Sequence, residues 1–185
     1  MKRITAIMGS HRQKGHTAAV LNRLLESVGD AEITRIDVNT VKAEACRGCD
    51  YCISHQGQCV IEDDMTAIHK AILECDVLVI ASPVYFSAFP SKLKAIIDRG
   101  QVLYALKDKA AIKEKDLVLI GLGGAPEYAH QFDGLKYTLE YYNRNIKARL
   151  TTLITIPNTD RVAALDNAEA MKAIDACAAT IRAMG

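Results

Sequence analysis

Asp76-Val77-Leu78-Val79-Ile80-Ala81 and Leu117-Val118-Leu119-Ile120-Gly121 decide the fold of this chain. Both runs are short and apolar throughout, without the apolar–polar alternation of a half-solvated strand. Each therefore reads as a strand covered on both faces, the situation of strands in a parallel sheet with helices on either side. Working outward, the sequence predicts strands over Arg3 to Met8, Glu32 to Val38, Val77 to Ala81, Asp116 to Leu122 and Leu150 to Ile156. Amphipathic stretches fill the gaps and predict helices over Thr17 to Val28, Asp64 to Glu74, Pro90 to Leu106, Phe132 to Asn145 and Asn167 to Met184. Five strands joined by helical crossovers imply an α/β fold, a doubly wound parallel sheet with right-handed connections. The 185 residues hold no internal repeat and no low-complexity linker, so residues 1–185 are expected to form one domain.

Composition narrows the function classes. The chain is 50% hydrophobic and 24% charged, with a formal net charge of +1. No run of about 18 apolar residues is present, and the N-terminus lacks the plan of a signal peptide, so a cytoplasmic protein without a membrane partner is expected. The absence of Trp and of any basic run argues against a nucleic-acid partner.

The one long irregular excursion, Asn39 to Asp63, carries Cys46-Arg-Gly-Cys49-Asp-Tyr-Cys52-Ile-Ser-His-Gln-Gly-Gln-Cys59. Three cysteines at two-residue gaps match the opening of the bacterial ferredoxin pattern, in which a tight chain reversal aims sulfurs at the corners of an iron–sulfur cube. The fourth comes after six residues instead of three and lacks the following proline. Zinc, or no metal at all, remains an alternative for the same thiols. A reducing compartment disfavours disulfides. Cys75 and Cys177 stand apart and read as core residues.

In doubly wound sheets, ligands bind beyond the carboxyl ends of the strands at the switch point of strand order. The loops after the first, third and fourth strands are therefore the expected site. The first, Gly9-Ser10-His11-Arg12-Gln13-Lys14-Gly15-His16-Thr17, is neither a dinucleotide fingerprint nor a nucleotide triphosphatase loop. It offers the hydroxyls of Ser10 and Thr17, the guanidinium of Arg12 and a helix N-terminus, the parts that hold a phosphate monoester. A plain N-capped helix behind a basic loop accounts for the same residues. The second loop, Ser82-Pro83-Val84-Tyr85-Phe86, is apolar and aromatic and suits a flat ring or ordinary packing. The third, Gly121-Leu122-Gly123-Gly124-Ala125, lets a planar ligand approach backbone amides.

These residues together resemble the flavodoxin-fold NADPH-dependent FMN reductase family, and most closely the iron–sulfur flavoproteins. The likeness rests on Gly9 to Thr17, on the cysteine cluster running into Val60-Ile61-Glu62-Asp63-Asp64-Met65, and on Ser82 to Phe86 leading to Leu93-Lys94 and Asp98-Arg99. It spans about the first two thirds of the chain. The resemblance implies a five-stranded sheet of order 2-1-3-4-5. It implies an FMN phosphate held by Ser10, Arg12 and Thr17, with His16 beside it. Pro83, Val84, Tyr85 and Phe86 would line the flavin ring, with Gly123 and Gly124 opposite, and Cys46, Cys49, Cys52 and Cys59 would carry a [4Fe-4S] cluster. Two departures are His16, where the family commonly has Asn, and the unfamiliar Ala125 to His130 segment.

The implied activity is an FMN-dependent oxidoreductase that passes electrons between flavin, cluster and a donor or acceptor, with NAD(P)H or ferredoxin as candidate donors. A cluster-free NAD(P)H-dependent reductase of FMN or quinones is the alternative, with NAD(P)H visiting the crevice transiently. A non-enzymatic electron carrier is a second alternative, and 22 acids against 23 bases speak against its usual acidic docking face. No side chain is an obvious general acid or base: His55, His69 and His130 read as surface or packing residues. The resemblance also implies a homodimer or homotetramer, with Tyr137 to Arg149 as an interface candidate. Asp98-Arg99 is expected to form a local helix-end pair or a contact between subunits.

Overall fold

The computed structural model describes residues 1–184. Its sheet holds β1 (Lys2–Met8), β2 (Ala31–Asp37), β3 (Val77–Pro83), β4 (Lys115–Leu122) and β5 (Ala148–Ile156), all parallel, in the order β2-β1-β3-β4-β5. The expected architecture and strand order are therefore present. The helices are α1 (His16–Val28), α2 (Tyr51–Ser54), α3 (Met65–Glu74), α4 (Ser91–Asp98), α5 (Gln101–Tyr104), α6 (Asp133–Ile146) and α7 (Ala168–Ala183), with a 3-10 turn at Ala164–Asp166.

The uninterrupted apolar strands feed two cores at once, because successive side chains point to opposite faces. Val77, Val79 and Ala81 of β3, with Val118 and Ile120 of β4, meet α1 and α7 on one face. Leu78 and Ile80, with Leu117 and Leu119, meet α3, α4 and α6 on the other. Cys177 is buried in the first core and Cys75 in the second, as expected.

Two expectations change. The helix anticipated over Pro90 to Leu106 is two helices, broken at Arg99 and Gly100. There the Gly100 N–H turns back to the Ile97 carbonyl at 2.9 Å, and a Cβ on Gly100 would stand 2.7 Å from the Tyr142 ring of α6. Only glycine lets α6 come that close. The cysteine excursion is also less irregular than anticipated, since it contains the single helical turn α2 and closes on itself at a neck.

Candidate functional site

Adjacent β1, β3 and β4 end side by side, so their three following loops leave the sheet together. The Gly9 N–H donates to the Ala81 carbonyl at 2.8 Å, and the Val84 N–H to the Leu122 carbonyl at 2.8 Å. A Cβ on Gly9 would lie 2.4 Å from Leu93 and 3.0 Å from that Ala81 oxygen, so glycine is what permits the first join.

In the first loop, Ser10 is buried and its Oγ accepts the Arg12 N–H at 3.1 Å, while Arg12 itself projects into solvent. The loop is tied from β2's side by Asn39, whose Nδ2 donates to the Ser10 carbonyl at 2.8 Å. Helix α1 starts after Gly15 without a side-chain cap, and Thr17 lies buried in its first turn. His16 is exposed, and its Nδ1 accepts the Ala164 N–H at 3.4 Å. That bond leaves the neutral ring's proton on Nε2 and pins the start of α1 to the 3-10 turn.

The second loop is a two-residue hairpin. Tyr85 and Ala88 exchange both backbone hydrogen bonds, at 2.9 and 3.0 Å, across Phe86 and Ser87. Both central residues have positive φ, 49° and 60°, as a type I′ turn requires and as Phe rarely adopts. The Phe86 side chain is 105% exposed, so no packing within the chain compensates this strain. Pro83 and Val84 are half-buried, and Tyr85 is exposed beside His11, edge to face at 6.1 Å. The hairpin rests on Gly134 of α6, where a Cβ would fall 1.8 Å from the Ser87 oxygen.

The third loop differs from the open glycine floor anticipated. A Cβ on Gly123 would meet the Gln131 amide at 2.4 Å, and one on Gly124 the Asp160 carboxylate at 2.6 Å. The segment after β5, which sequence reasoning left out of the site, returns over this loop. There the Asn158, Thr159 and Asp160 N–H groups donate to the carbonyls of Ala125, Gly123 and Gly124. Gln131 Oε1 and Asn158 Oδ1 are buried here without a partner among the described residues. His130 is exposed and holds Asp133 through Nδ1 at 2.7 Å. Hydrogen bonds from Lys136 and then His130 keep the Asp133 carboxyl below its usual range.

The cysteine loop is built differently. At its neck the Asp64 N–H donates to the Lys42 carbonyl at 3.0 Å, and the Lys42 N–H donates back to the Asp64 carboxylate at 2.7 Å. Beneath it lies Arg99, 1% exposed. Its guanidinium binds Asp63 in a fork at 2.6 and 3.0 Å and donates to the Glu44 carbonyl at 3.0 Å and the Ile61 carbonyl at 3.5 Å. The Glu44 N–H also reaches Asp63, at 3.0 Å. Burial alone would raise the Asp63 pKa, but the Arg99 hydrogen bond and those from the Glu44 and Met65 amides outweigh it and hold the carboxyl down. The expected Asp98-Arg99 pair is thus corrected: Asp98 pairs with Lys94 one turn back at 2.7 Å, and Arg99 clasps the two ends of the cysteine loop. Arg99 stands at the helix break, and that break turns it inward.

Above this clasp, Cys46, Cys49, Cys52 and Cys59 line one cavity of about 350 Å³, together with Arg99 and Gln101. Burial first, then the proximity of Cys46, Cys59 and Cys49, pushes the Cys52 thiol up. The left-handed conformations of Gly48, at φ 62°, and Asp50, at φ 57°, turn the chain between the first sulfurs. Among the described residues, no three His, Cys, Asp or Glu side chains are grouped as ligands of a single metal ion. His55 stacks flat on Tyr51, centroids 3.8 Å apart, and so stiffens the loop.

His69 is buried under the clasp. Burial first, and then the Arg99 charge, lowers its pKa to about 4, so it is neutral at pH 7. No helix among the described residues is long and apolar enough to cross a membrane.

The chain is similar to several known proteins. It is 30% identical to an iron-sulfur flavoprotein of Methanosarcina thermophila over 66% of this chain and 64% of that one. It is 32% identical to an iron-sulfur flavoprotein of Archaeoglobus fulgidus over 50% of this chain and 43% of the relative. An NADH-dependent FMN reductase of Pseudomonas putida is 26% identical over 71% and 65% of the two chains. The matched stretch thus spans about half to two thirds of these relatives' length. Among solved structures, an NADH:FMN oxidoreductase in its apo form superposes with a TM-score of 0.69 at 19% identity, covering 98% of this chain and 89% of that one. An FMN-dependent NADH-azoreductase from Bacillus anthracis, solved with FMN, gives 0.68 at 14% identity with 97% of each chain covered. These structural likenesses establish the flavodoxin-like arrangement alone. The family described as NADPH-dependent FMN reductase matches residues 2–145, most of the chain, and the chain belongs to that family.

Proposed function

We propose that this protein is a flavin-dependent oxidoreductase that binds FMN across the loops after β1, β3 and β4 and carries a [4Fe-4S] cluster in the cysteine cavity. The observation that carries this reading is the meeting of those three loops at adjacent strand ends, with the cysteine loop folded onto the same molecule. The residues present fit FMN. A helix start without a side-chain cap, a buried serine hydroxyl and a free arginine suit a phosphate dianion. Two unpartnered buried acceptors, Gln131 Oε1 and Asn158 Oδ1, leave sites for ring or ribityl donors. Four thiols around one cavity suit the corners of an iron–sulfur cube.

When bound, FMN and the cluster together supply conversion between two-electron and one-electron transfer. The chain's own part is binding and tuning. Ser10, Thr17 and the first-turn amides of α1 would hold the phosphate, with Arg12 and His16 beside it. The ring would lie against Pro83, Val84, Tyr85 and Phe86, and the side opposite would be formed by Gly123 and Gly124 together with Gln131 and Asp160, which cover them. The Val84, Tyr85 and Gly123 amides are already spent on Leu122, Ala88 and Ile156. The amides of Phe86, Ser87, Gly124 and Ala125 would be the ones left to tune the ring by hydrogen bonds. A small-molecule or protein donor and acceptor, with NAD(P)H as the hydride source, complete the cycle. A homodimer or homotetramer is part of this reading, supported by the exposed Tyr137 and Tyr141 on α6.

A second reading, a cluster-free NAD(P)H-dependent reductase, is favoured by the lack of a grouped metal-ligand set among the described residues. Replacing one ligand separates the two. Cys49→Ser is expected to lose iron, measured per chain after anaerobic purification, while FMN stays bound. Iron absent from the parent protein, or unchanged in the variant, favours the second reading.

A further inference from the structure

We propose that Asn39 is a positioning residue that makes the crevice select a phosphorylated flavin over riboflavin, by aiming the His11 amide at the phosphate. The inference rests on the function proposed above, which puts the FMN phosphate in the Gly9 to Thr17 loop. Asn39 stands just beyond β2, the strand beside β1, and its side chain is half-buried. The Asn39 Nδ2 hydrogens go to the Ser10 carbonyl at 2.8 Å and to Asp37 Oδ1 at 3.0 Å, and Asn39 Oδ1 accepts from the Lys92 ammonium at 3.4 Å. The Asn39 N–H also donates to Asp37 Oδ1, at 2.8 Å, which holds the turn. Turning the amide over would set Nδ2 against Lys92, which has only donors, and Oδ1 against two acceptors. One orientation is left, so Asn39 is a fixed peg on which the Ser10 carbonyl rests.

That carbonyl belongs to the peptide whose N–H is His11's. A trans peptide is planar, with its N–H pointing opposite to its carbonyl, and no peptide bond among the described residues is cis. Asn39 draws the Ser10 carbonyl toward β2, so the His11 N–H points away from β2. With the strand order β2-β1-β3, that direction leads toward β3 and the crevice. His11 is exposed, and its ring meets Tyr85 of the loop after β3. Its N–H makes no hydrogen bond among the described residues, whereas the next one, Arg12 N–H, is spent on Ser10 Oγ. The His11 amide is therefore a free donor aimed by Asn39. Without that bond the peptide is free to turn its carbonyl toward the crevice, which removes one charge-assisted hydrogen bond from a dianion and sets oxygen against oxygen. A flavin lacking the phosphate is indifferent to the change.

The flavin-free full chain is titrated separately with FMN and with riboflavin, followed by quenching of flavin fluorescence. The ratio of the two affinities is the readout, because a general loss of structure lowers both. Asn39→Ala is expected to lower the FMN-to-riboflavin ratio about tenfold, the worth of one hydrogen bond to a charged group, by weakening FMN alone. Thr40→Ala removes the Thr40 Oγ1 bond to the Asp37 carbonyl in the same turn and leaves the ratio unchanged. In proton–nitrogen correlation spectra of the parent protein, FMN moves the His11 amide proton downfield and riboflavin does not. A ratio preserved in Asn39→Ala, or a His11 amide that FMN leaves in place, overturns the proposal. If the variant does not fold, the amide decides. A parent that binds FMN no better than riboflavin brings down the phosphate grip and this proposal together, whereas a parent that prefers FMN and a variant that keeps the preference sink the role of Asn39 alone.

Discussion

The crevice at the strand ends and the cysteine loop share one molecule and are held by opposite means. The crevice is fixed by backbone: strand ends joined by amide–carbonyl bonds, a helix start, a hairpin. The loop between Lys42 and Asp64 has one helical turn of regular structure and depends on side chains, above all Arg99 against Asp63. A site built from backbone spreads its stability over many groups, whereas one tied by a buried ion pair fails at a single residue.

Arg99→Ala should break the comparison most sharply. It leaves Asp63 buried without its cation, a loss of about 3–5 kcal/mol in urea unfolding. Amide exchange should accelerate first across residues 42–64, and iron should be lost before FMN. Acid comes next. His69 is held neutral in the fold, with a pKa of about 4 against 6.5 unfolded, so between those values the unfolded chain binds a proton that the folded one does not. Its contribution is present above pH 6.5 and is lost as pH falls toward 4, a change of about 3 kcal/mol at most. Denaturation series at several pH values should show that slope, and His69→Phe should flatten it.

On the crevice side, Ser10→Ala with Thr17→Ala removes two hydroxyl bonds to a dianion and should weaken FMN binding about thirtyfold, roughly 2 kcal/mol. The flavin-free protein should also lose about 1–2 kcal/mol, since both side chains are buried and Ser10 Oγ accepts the Arg12 N–H, so the affinity is read at a temperature where the variant is folded. Phe86→Gly has the smallest effect and the opposite sign. It relieves a positive φ at a side chain without packing inside the chain, and should stabilise the protein by about 1 kcal/mol. Its FMN affinity should fall, since the ring is the part of that hairpin aimed outward. A loss of stability instead would mean that the aromatic tip is packed.

The same contrast explains what the sequence made legible. Strand runs such as Val77 to Ala81 announce parallel pairing by hydrophobicity alone, and the strand ends then follow from topology. The phosphate loop is visible because Ser, Arg, Gly and Thr fall at a helix start. The Arg99 clasp was misread as a pair with Asp98, because sequence neighbours are visible and a partner 36 residues away is not. The break at Gly100 was hidden for a related reason: its cause is the Tyr142 ring on another helix. The segment after β5 carries no motif, and only its hydrogen bonds to Gly123, Gly124 and Ala125 bring it into the crevice.

The most direct test of the two-centre account is the visible absorption spectrum of protein purified without oxygen, with FMN and iron counted per chain. The account predicts the two flavin bands riding on a broad brown sulfur-to-iron absorption, with one FMN and about four irons per chain. A spectrum without flavin bands, or flavin bands with no iron, would contradict it.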